Sequence, residues 1–220
     1  MRTLVVMSAT RHTDGFAPFG RVVLVASQGG MKALTTVVAG LPESFPLPVV
    51  LAQHRRAVPN RPDVLAEVVS RHCHLPVRVA SHGEASNAPG VTIVPAGTIA
   101  TIDDCDLWSL TTPSCNVGIG DAVLMSSAAA ARTIAVILTG RLTDGAAGCR
   151  VVKRGGGRVL VQDPFTAEAS SMPATAIATG CADFVLPLKR LATAVLALTT
   201  APGAAELLTV PIPPWACLST

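Results

Sequence analysis

The pattern of hydrophobic positions alternates between two periods along most of the chain. Short apolar runs rich in β-branched residues, such as 21–26 and 133–138, are followed by stretches whose apolar positions recur every three or four residues, such as 31–41. The first pattern is typical of strands buried on both faces, and the second is typical of helices. The sequence therefore predicts an α/β fold, a doubly wound and mostly parallel sheet with helices on both faces.

The predicted elements cover most of the chain from residue 21. Strands are predicted at 21–26, 48–53, 77–80, 133–138, 158–162 and 183–186. Helices are predicted at 31–41, 62–72, 121–131, 145–154, 173–179 and 188–198. Pro62 suits the first position of its helix, because the missing N–H costs nothing there.

A different spacing interrupts the winding between residues 90 and 110. Three short apolar runs, 91–94, 98–102 and 107–110, are separated by Pro-Gly, Ala-Gly and Asp-Asp turns. Short runs with turn signals between them predict a small antiparallel hairpin, which we place at the edge of the sheet.

The length of the chain limits the number of domains. A chain of 220 residues can build one sizeable core and is too short for two ordinary domains. We expect one domain at 21–199, preceded by a disordered or loosely held lead-in at 1–20. Residues 200–220 are rich in proline and predict a loose C-terminal tail.

Composition excludes several classes of function. The net charge is only +3, and Lys and Arg are scattered, so we do not expect nucleic-acid binding. No apolar run is long enough to insert into a membrane. The six cysteines form no CxxC pair, which indicates free thiols in the cytoplasm. His72, Cys73 and His74 lack further ligands nearby, so no metal site is predicted.

A serine stands at the junction between the first strand and the first helix. Ser27 directly follows the strand 21–26 and is followed by Gln28, Gly29 and Gly30. A serine at this junction has an exposed hydroxyl, and the free N–H groups of the helix N-terminus can hold an oxyanion. The segment resembles a nucleophile elbow only in part, because Val25 replaces its first glycine. The same residue could simply be the helix N-cap.

Two further polar residues follow other predicted strands. His54 ends the strand 48–53, where an imidazole one strand away from a serine could take its proton. Asp144 lies between the strand 133–138 and the helix 145–154, where a carboxylate could orient that imidazole. Each has an ordinary alternative: a packed or surface histidine, and an aspartate N-cap. Ligands of open parallel sheets bind at the carboxyl ends of strands, which favours the functional interpretation of the set.

At this point the chain resembles a known family, the chemotaxis protein-glutamate methylesterases, and specifically their C-terminal catalytic domain without the receiver domain. The resemblance covers residues 20–198. It rests on the following segments: Ala26-Ser27-Gln28-Gly29-Gly30, Gln53-His54, the loop from Gly83-Glu84 to Pro89-Gly90 leading into Ile93-Val94-Pro95, Val136 to Gly140 running to Asp144-Gly145-Ala146-Ala147-Gly148, and Met172-Pro173 with Ala176.

The resemblance implies a serine hydrolase that removes methyl esters from glutamate side chains of chemoreceptors. Its catalytic residues would be Ser27, His54 and Asp144, with Gln28, Gly29 and Arg141 in the oxyanion or substrate loop. Related members also deamidate receptor glutamines. No cofactor is implied, and the partners are a methylated chemoreceptor and a separate regulatory protein. The chain order Ser, His, Asp differs from the order Ser, Asp, His of lipase-type hydrolases.

The sequence also departs from the family pattern. About 20 residues precede the domain, too few for the usual receiver domain, so we expect regulation to come from elsewhere. Gln28 replaces the usual threonine of the serine loop. The segment Arg141-Leu142-Thr143 stands where the family has Met-Gly-Asn, and Ile99 stands where a histidine is expected. The usual Arg-Pro-Ser-Val-Asp run is replaced by Asn-Val-Gly-Ile-Gly-Asp at 116–121.

Two other functions stay open at the level of sequence. The altered residues around the site could belong to a catalytically degenerate domain that serves as a protein-interaction module in chemosensory signalling. Alternatively, Ser27-Gln28-Gly29-Gly30 could cradle a phosphate or a dinucleotide. The loop lacks the G-x-G-x-x-G pattern of dinucleotide-binding proteins, and His54 stands where those proteins have an acidic residue at the end of the next strand. Both features weigh against a dinucleotide site.

Overall fold

The apolar β-branched runs form one seven-stranded parallel sheet. The computed structural model of the protein describes residues 19–57, 62–113 and 118–217, so most of the predicted lead-in lies outside the described residues. The strands of this sheet, in chain order, are β1 (Arg21–Ala26), β2 (Val49–Gln53), β3 (Val77–Val79), β4 (Val91–Ile93), β7 (Thr133–Ile137), β8 (Arg158–Gln162) and β9 (Phe184–Leu186). Their spatial order is β3-β4-β2-β1-β7-β8-β9. The predicted doubly wound fold is confirmed.

Helices cover both faces of the sheet. They are α1 (Gly30–Ala39), α2 (Val64–His72), α3 (Ile119–Ala130), α4 (Ala146–Arg154), α5 (Ser171–Ala178), α6 (Leu188–Thr200), α7 (Ala204–Leu207) and α8 (Pro214–Cys217). Successive side chains of a strand point to opposite faces, so Leu24 joins the core under α1, α2 and α6, while Val23 and Val25 join the core under α3, α4 and α5. This two-sided burial explains why the strands are continuously apolar.

The predicted hairpin is present, but it is shorter than expected. It consists of β5 (Ile99–Ile102) and β6 (Trp108–Thr111), which pair antiparallel in a separate two-stranded sheet. The prediction was wrong for 91–94, because β4 is a parallel strand between β2 and β3 in the large sheet. A short apolar run does not show by its periodicity whether its neighbours are parallel or antiparallel.

Element boundaries elsewhere agree with the prediction to within a few residues. At α2 the difference has a clear cause: the Asp63 carboxylate accepts hydrogen bonds from the N–H groups of Leu65 and Ala66. Asp63 is therefore the N-cap, and Pro62 precedes the helix instead of occupying its first position.

The C-terminal segment packs onto the domain, which differs from the loose tail expected from its prolines. The Arg158 guanidinium donates hydrogen bonds to the carbonyls of Ala205 and Leu208. Asp183 forms a buried ion pair with Lys153 and accepts from the hydroxyl of Thr209. Ala205 and Ala216 join the hydrophobic cores, whereas most other residues of the segment are exposed.

The sheet order determines where a site can form. Strand β1 lies between β2 and β7, and the chain winds outward from β1 in both directions. The loops after these three strands therefore meet at one edge of the sheet, the topological switch point at which such folds bind ligands. Among the described residues, no helix is long and apolar enough to cross a lipid bilayer.

Candidate active site

Ser27 leaves β1 at the switch point and is held by its backbone. Its N–H donates to the carbonyl of Thr139 at 3.0 Å, and its carbonyl accepts from Gly30 and from the side chain of Gln53. The N-cap of α1 is Gly29, which has a φ of 74° and is suited to this left-handed conformation. Ser27 is therefore not the N-cap, and its partly exposed side chain is left for another role.

His54 follows β2 at the same edge of the sheet. Its N–H donates to the carbonyl of Ala26 at 3.0 Å, which places the histidine beside the residue preceding Ser27. Its side chain is exposed. An exposed imidazole at this position is free to approach both the serine and a substrate.

Asp144 lies in the loop between β7 and α4, and it caps a helix other than its own. Its Oδ2 accepts from the N–H of Gly120 and its Oδ1 from the N–H of Asp121, both at 3.0 Å in the first turn of α3. The N-cap of α4 is Gly145, so the alternative role of Asp144 as cap of that helix is excluded. A carboxylate has about four lone-pair sites, so two acceptor sites stay free for a donor such as an imidazole.

Ser27, His54 and Asp144 line one cleft of about 830 Å³. They come from the loops after β1, β2 and β7, the three strands at the switch point. Within the described residues, no hydrogen bond joins the three side chains. Catalytic hydrogen bonds are often long without substrate and tighten in the complex, so their absence here does not argue against a catalytic role for the three residues.

The three residues predicted for the oxyanion or substrate loop occupy different places. Arg141 lines the cleft beside Ser27. Gln28 borders a neighbouring depression that it shares with Arg141, and Gly29 faces a groove beside α1. No backbone acceptor within the described residues takes the N–H of Gln28 or Gly29.

A hydroxyl ties the serine loop to the loop that carries Asp144. Thr139 Oγ1 donates to the carbonyl of Gln28 at 3.0 Å and accepts from the N–H of Ala169 at 2.8 Å. Thr139 is 2% exposed, and hydrogen bonds in a buried environment are stronger than those in water. This contact holds the serine loop in a fixed position relative to the Asp144 loop.

The rim of the cleft is basic. Arg55 forms an ion pair with Asp63 and also donates to the carbonyl of Val94, which fixes its orientation. Arg56 and Arg141 are exposed and have no acidic partner within the described residues. The cleft therefore combines arginines at its rim with the carboxylates of Asp121 and Asp144.

One residue at the mouth of the cleft has a strained backbone. Leu142 has a φ of 68°, a conformation that disfavours a branched side chain, yet it is 76% exposed. Its N–H donates to Ser171 Oγ at 3.1 Å, and that hydroxyl contacts the carbonyl of Gly140. The hydrogen bonds of Ser171 to this loop, and not burial of the leucine side chain, therefore keep Leu142 in its strained conformation.

Sequence reasoning missed Asp121 as a member of the site. Asp121 lines the cleft in the first turn of α3, and its Oδ1 accepts from the N–H of Gly148 at 2.7 Å in the first turn of α4. Burial raises the pKa of its carboxyl, and the nearby charge of Asp144 raises it further, against the effect of the backbone hydrogen bonds. The sequence feature that could have indicated Asp121 is its position at the end of the run 116–121, where the family pattern Arg-Pro-Ser-Val-Asp also ends in an aspartate.

Comparison with known proteins identifies the family. Residues 22–195 match a sequence model described as CheB methylesterase. The chain belongs to this family. The crystal structure of the Thermotoga maritima CheB methylesterase catalytic domain is similar, with a TM-score of 0.74 and 31% sequence identity, and the match covers 81% of this chain and 98% of that chain.

Curated relatives of this CheB methylesterase family member carry the name protein-glutamate methylesterase/protein-glutamine glutaminase. One from Anaeromyxobacter dehalogenans (strain 2CP-C) is 35% identical over 81% of this chain and 53% of its own length. The protein-glutamate methylesterase FrzG of Myxococcus xanthus is 32% identical over 86% of this chain and 57% of its own length. The chain thus spans about half the length of these relatives. Membership in this family gives no support to the dinucleotide cradle.

Proposed function

We propose that this chain is a serine hydrolase that removes methyl esters from glutamate side chains of chemoreceptor proteins. The observation that carries the proposal is the convergence of Ser27, His54 and Asp144 on one cleft at the switch point of the sheet. The names of the relatives support this substrate class. Cys73, Cys105, Cys149 and Cys181 are free thiols, which suits the cytoplasm as the place of action.

The proposed reaction gives each of the three side chains a role. The imidazole of His54 takes the proton from Ser27 Oγ as the oxygen attacks the ester carbonyl. Asp144 orients the imidazole and stabilises its cationic form. The N–H groups of Gln28 and Gly29, and backbone near Arg141, hold the oxyanion. Methanol leaves with the proton from His54, and water then attacks the acyl-enzyme to give the free glutamate.

The same geometry supports deamidation of glutamine side chains as part of the proposal. An amide carbonyl presents the same atoms to Ser27, and the leaving group is ammonia instead of methanol. The proton carried by His54 serves either leaving group. Relatives whose names include protein-glutamine glutaminase support this extension.

The test is methanol release from methyl-labelled chemoreceptor. The wild-type chain should release methanol, and Ser27→Ala should release none above background while still binding receptor. Ser126→Ala is the matched control, because the Ser126 hydroxyl bonds only to carbonyls of its own helix. Absence of release from wild type, with receptor binding retained, would overturn the proposal and point to an interaction module.

A further inference from the structure

The starting observation is an exchange of caps between two helices at the cleft. Asp144, just before α4, accepts from the first turn of α3, and Asp121, in the first turn of α3, accepts from the first turn of α4. Neither helix has a side-chain cap of its own, because their N-caps are Gly118 and Gly145. Each carboxylate thus satisfies N–H groups of the other helix and lies near the positive end of its dipole.

The exchange fixes the place of Asp144. The backbone around the Asp144 carboxylate leaves no room for side chains: a Cβ at Gly118 would lie 2.0 Å from Asp144 Oδ1, and a Cβ at Gly120 would lie 3.1 Å from it. Because Asp121 anchors Gly148, it also holds the start of the helix that follows Asp144. Without this anchor, the first turn of α4 would lose its hydrogen bond to the side chain of Asp121.

The charge of Asp121 has a second effect. Asp121 and Asp144 both line the cleft that contains His54. The other charged groups of the cleft are Arg55 and Arg56 after β2 and Arg141 before α4, and the buried Cys149 thiol on α4 stays neutral because burial raises its pKa. Two carboxylates make the electrostatic potential of one cleft more negative than a single carboxylate does.

We propose that Asp121 is a positioning residue of the hydrolytic site, which holds Asp144 through the exchange of helix caps and adds negative charge to the cleft that contains His54. The inference rests on the proposed function, since it assigns to Asp121 a part in the same serine chemistry. It predicts that removing the charge alone changes the pH dependence of Ser27 reactivity. Removing the acceptor as well disturbs the geometry of the site.

The experiment measures how fast a fluorophosphonate probe labels Ser27 as a function of pH, with the site of labelling located by mass spectrometry. In Asp121→Asn the acceptor for Gly148 is kept and the charge is lost. We expect the midpoint of the acid limb to fall by about 0.5 pH unit and the plateau rate to fall about tenfold. Asp121→Glu should restore the midpoint, and Asp121→Ala should lower the plateau further.

The matched control is Asp104→Asn, which removes one exposed carboxylate from the turn between β5 and β6, outside the cleft. Its profile should coincide with that of wild type. A profile of Asp121→Asn that also coincides with wild type, or a loss of labelling proportional to the unfolded fraction with an unchanged midpoint, would overturn the inference. A wild-type chain that is not labelled at Ser27 would contradict the proposed function itself, and the positioning role would be lost with it.

Discussion

Gly118 lies against the Asp144 carboxylate so closely that a Cβ at position 118 would be 2.0 Å from Oδ1. The φ of Gly118 is −67°, which any residue can adopt, so the requirement for glycine is one of space alone. The carboxylate occupies the volume that a side chain would need.

Gly118→Ala should therefore displace Asp144 and lower kcat on methylated receptor by about 100-fold, because a misplacement near 1 Å has an effect of that order. Gly155→Ala is the control: its φ is −74° and its Cβ would meet only ordinary contacts. Equal activity of the two variants would contradict the prediction.

Leu142→Gly should stabilise the protein. A leucine at a φ of 68° is strained by roughly 1–2 kcal/mol relative to glycine, and its exposed side chain contributes little burial. Allowing for the greater freedom of glycine in the unfolded chain, we expect the free energy of unfolding in urea to rise by about 0.5–1 kcal/mol. Leu208→Gly, at a φ of −92°, should lower it. A decrease in both variants would show that strain at Leu142 is absent.

Asp183→Asn should destabilise the domain strongly. Asp183 and Lys153 form an ion pair with side chains 0% and 4% exposed, so the substitution leaves a buried ammonium without its counter-charge. We expect a loss of about 3 kcal/mol in the free energy of unfolding. Glu67→Gln breaks the exposed pair with Arg71 and should change it by less than about 0.5 kcal/mol. Similar losses from both variants would refute the distinction.

Asp106 should make stability depend on pH in the acid range. Burial acts to raise the pKa of Asp106, but hydrogen bonds from Ser86 and Arg21, the Arg21 charge and a bond from Asn87 outweigh it and lower the pKa. A carboxyl with a lowered folded pKa contributes stability above its unfolded pKa of about 3.9, and this contribution is lost as pH falls through the folded value.

Urea unfolding of wild type and Asp106→Asn between pH 6 and pH 2.5 checks this dependence. The difference in the free energy of unfolding between the two proteins should be largest near pH 6 and should shrink as the pH falls below about 4. Asp104→Asn, at an exposed carboxylate in the same turn, should follow the wild-type curve. A constant difference across the range would exclude the ionisation of Asp106 as its cause.

Much of the fold could be predicted from the sequence because its strands are buried on both faces. The runs that form β1, β2, β7 and β8 are apolar and long enough to be unambiguous. By contrast, β4 has only three residues, and its parallel partners are set by the crossover of the chain and not by its own pattern. The packing of the tail was missed because it depends on Arg158 and Lys153, whose partners are distant in sequence.

The site was predictable where its residues follow directly after strands. The structure brings Ser27, His54 and Asp144 to one cleft because strand order alone makes their loops neighbours. The part played by Asp121 was not predictable, because it depends on the relative placement of two helices. A carboxylate in the first turn of a helix is expected to interact with the N-terminus of that helix. The Asp121 carboxylate of α3 instead accepts a hydrogen bond from the first turn of α4.

The contacts of Arg158 and Lys153 with the C-terminal segment have a practical consequence for anyone who trims or fuses this protein. The family match ends at residue 195, yet shortening the chain there would remove the carbonyls that Arg158 binds and the segment that covers Asp183. The segment that matches the family model therefore ends before the segment that packs onto the folded domain. A fusion partner should be joined beyond residue 217.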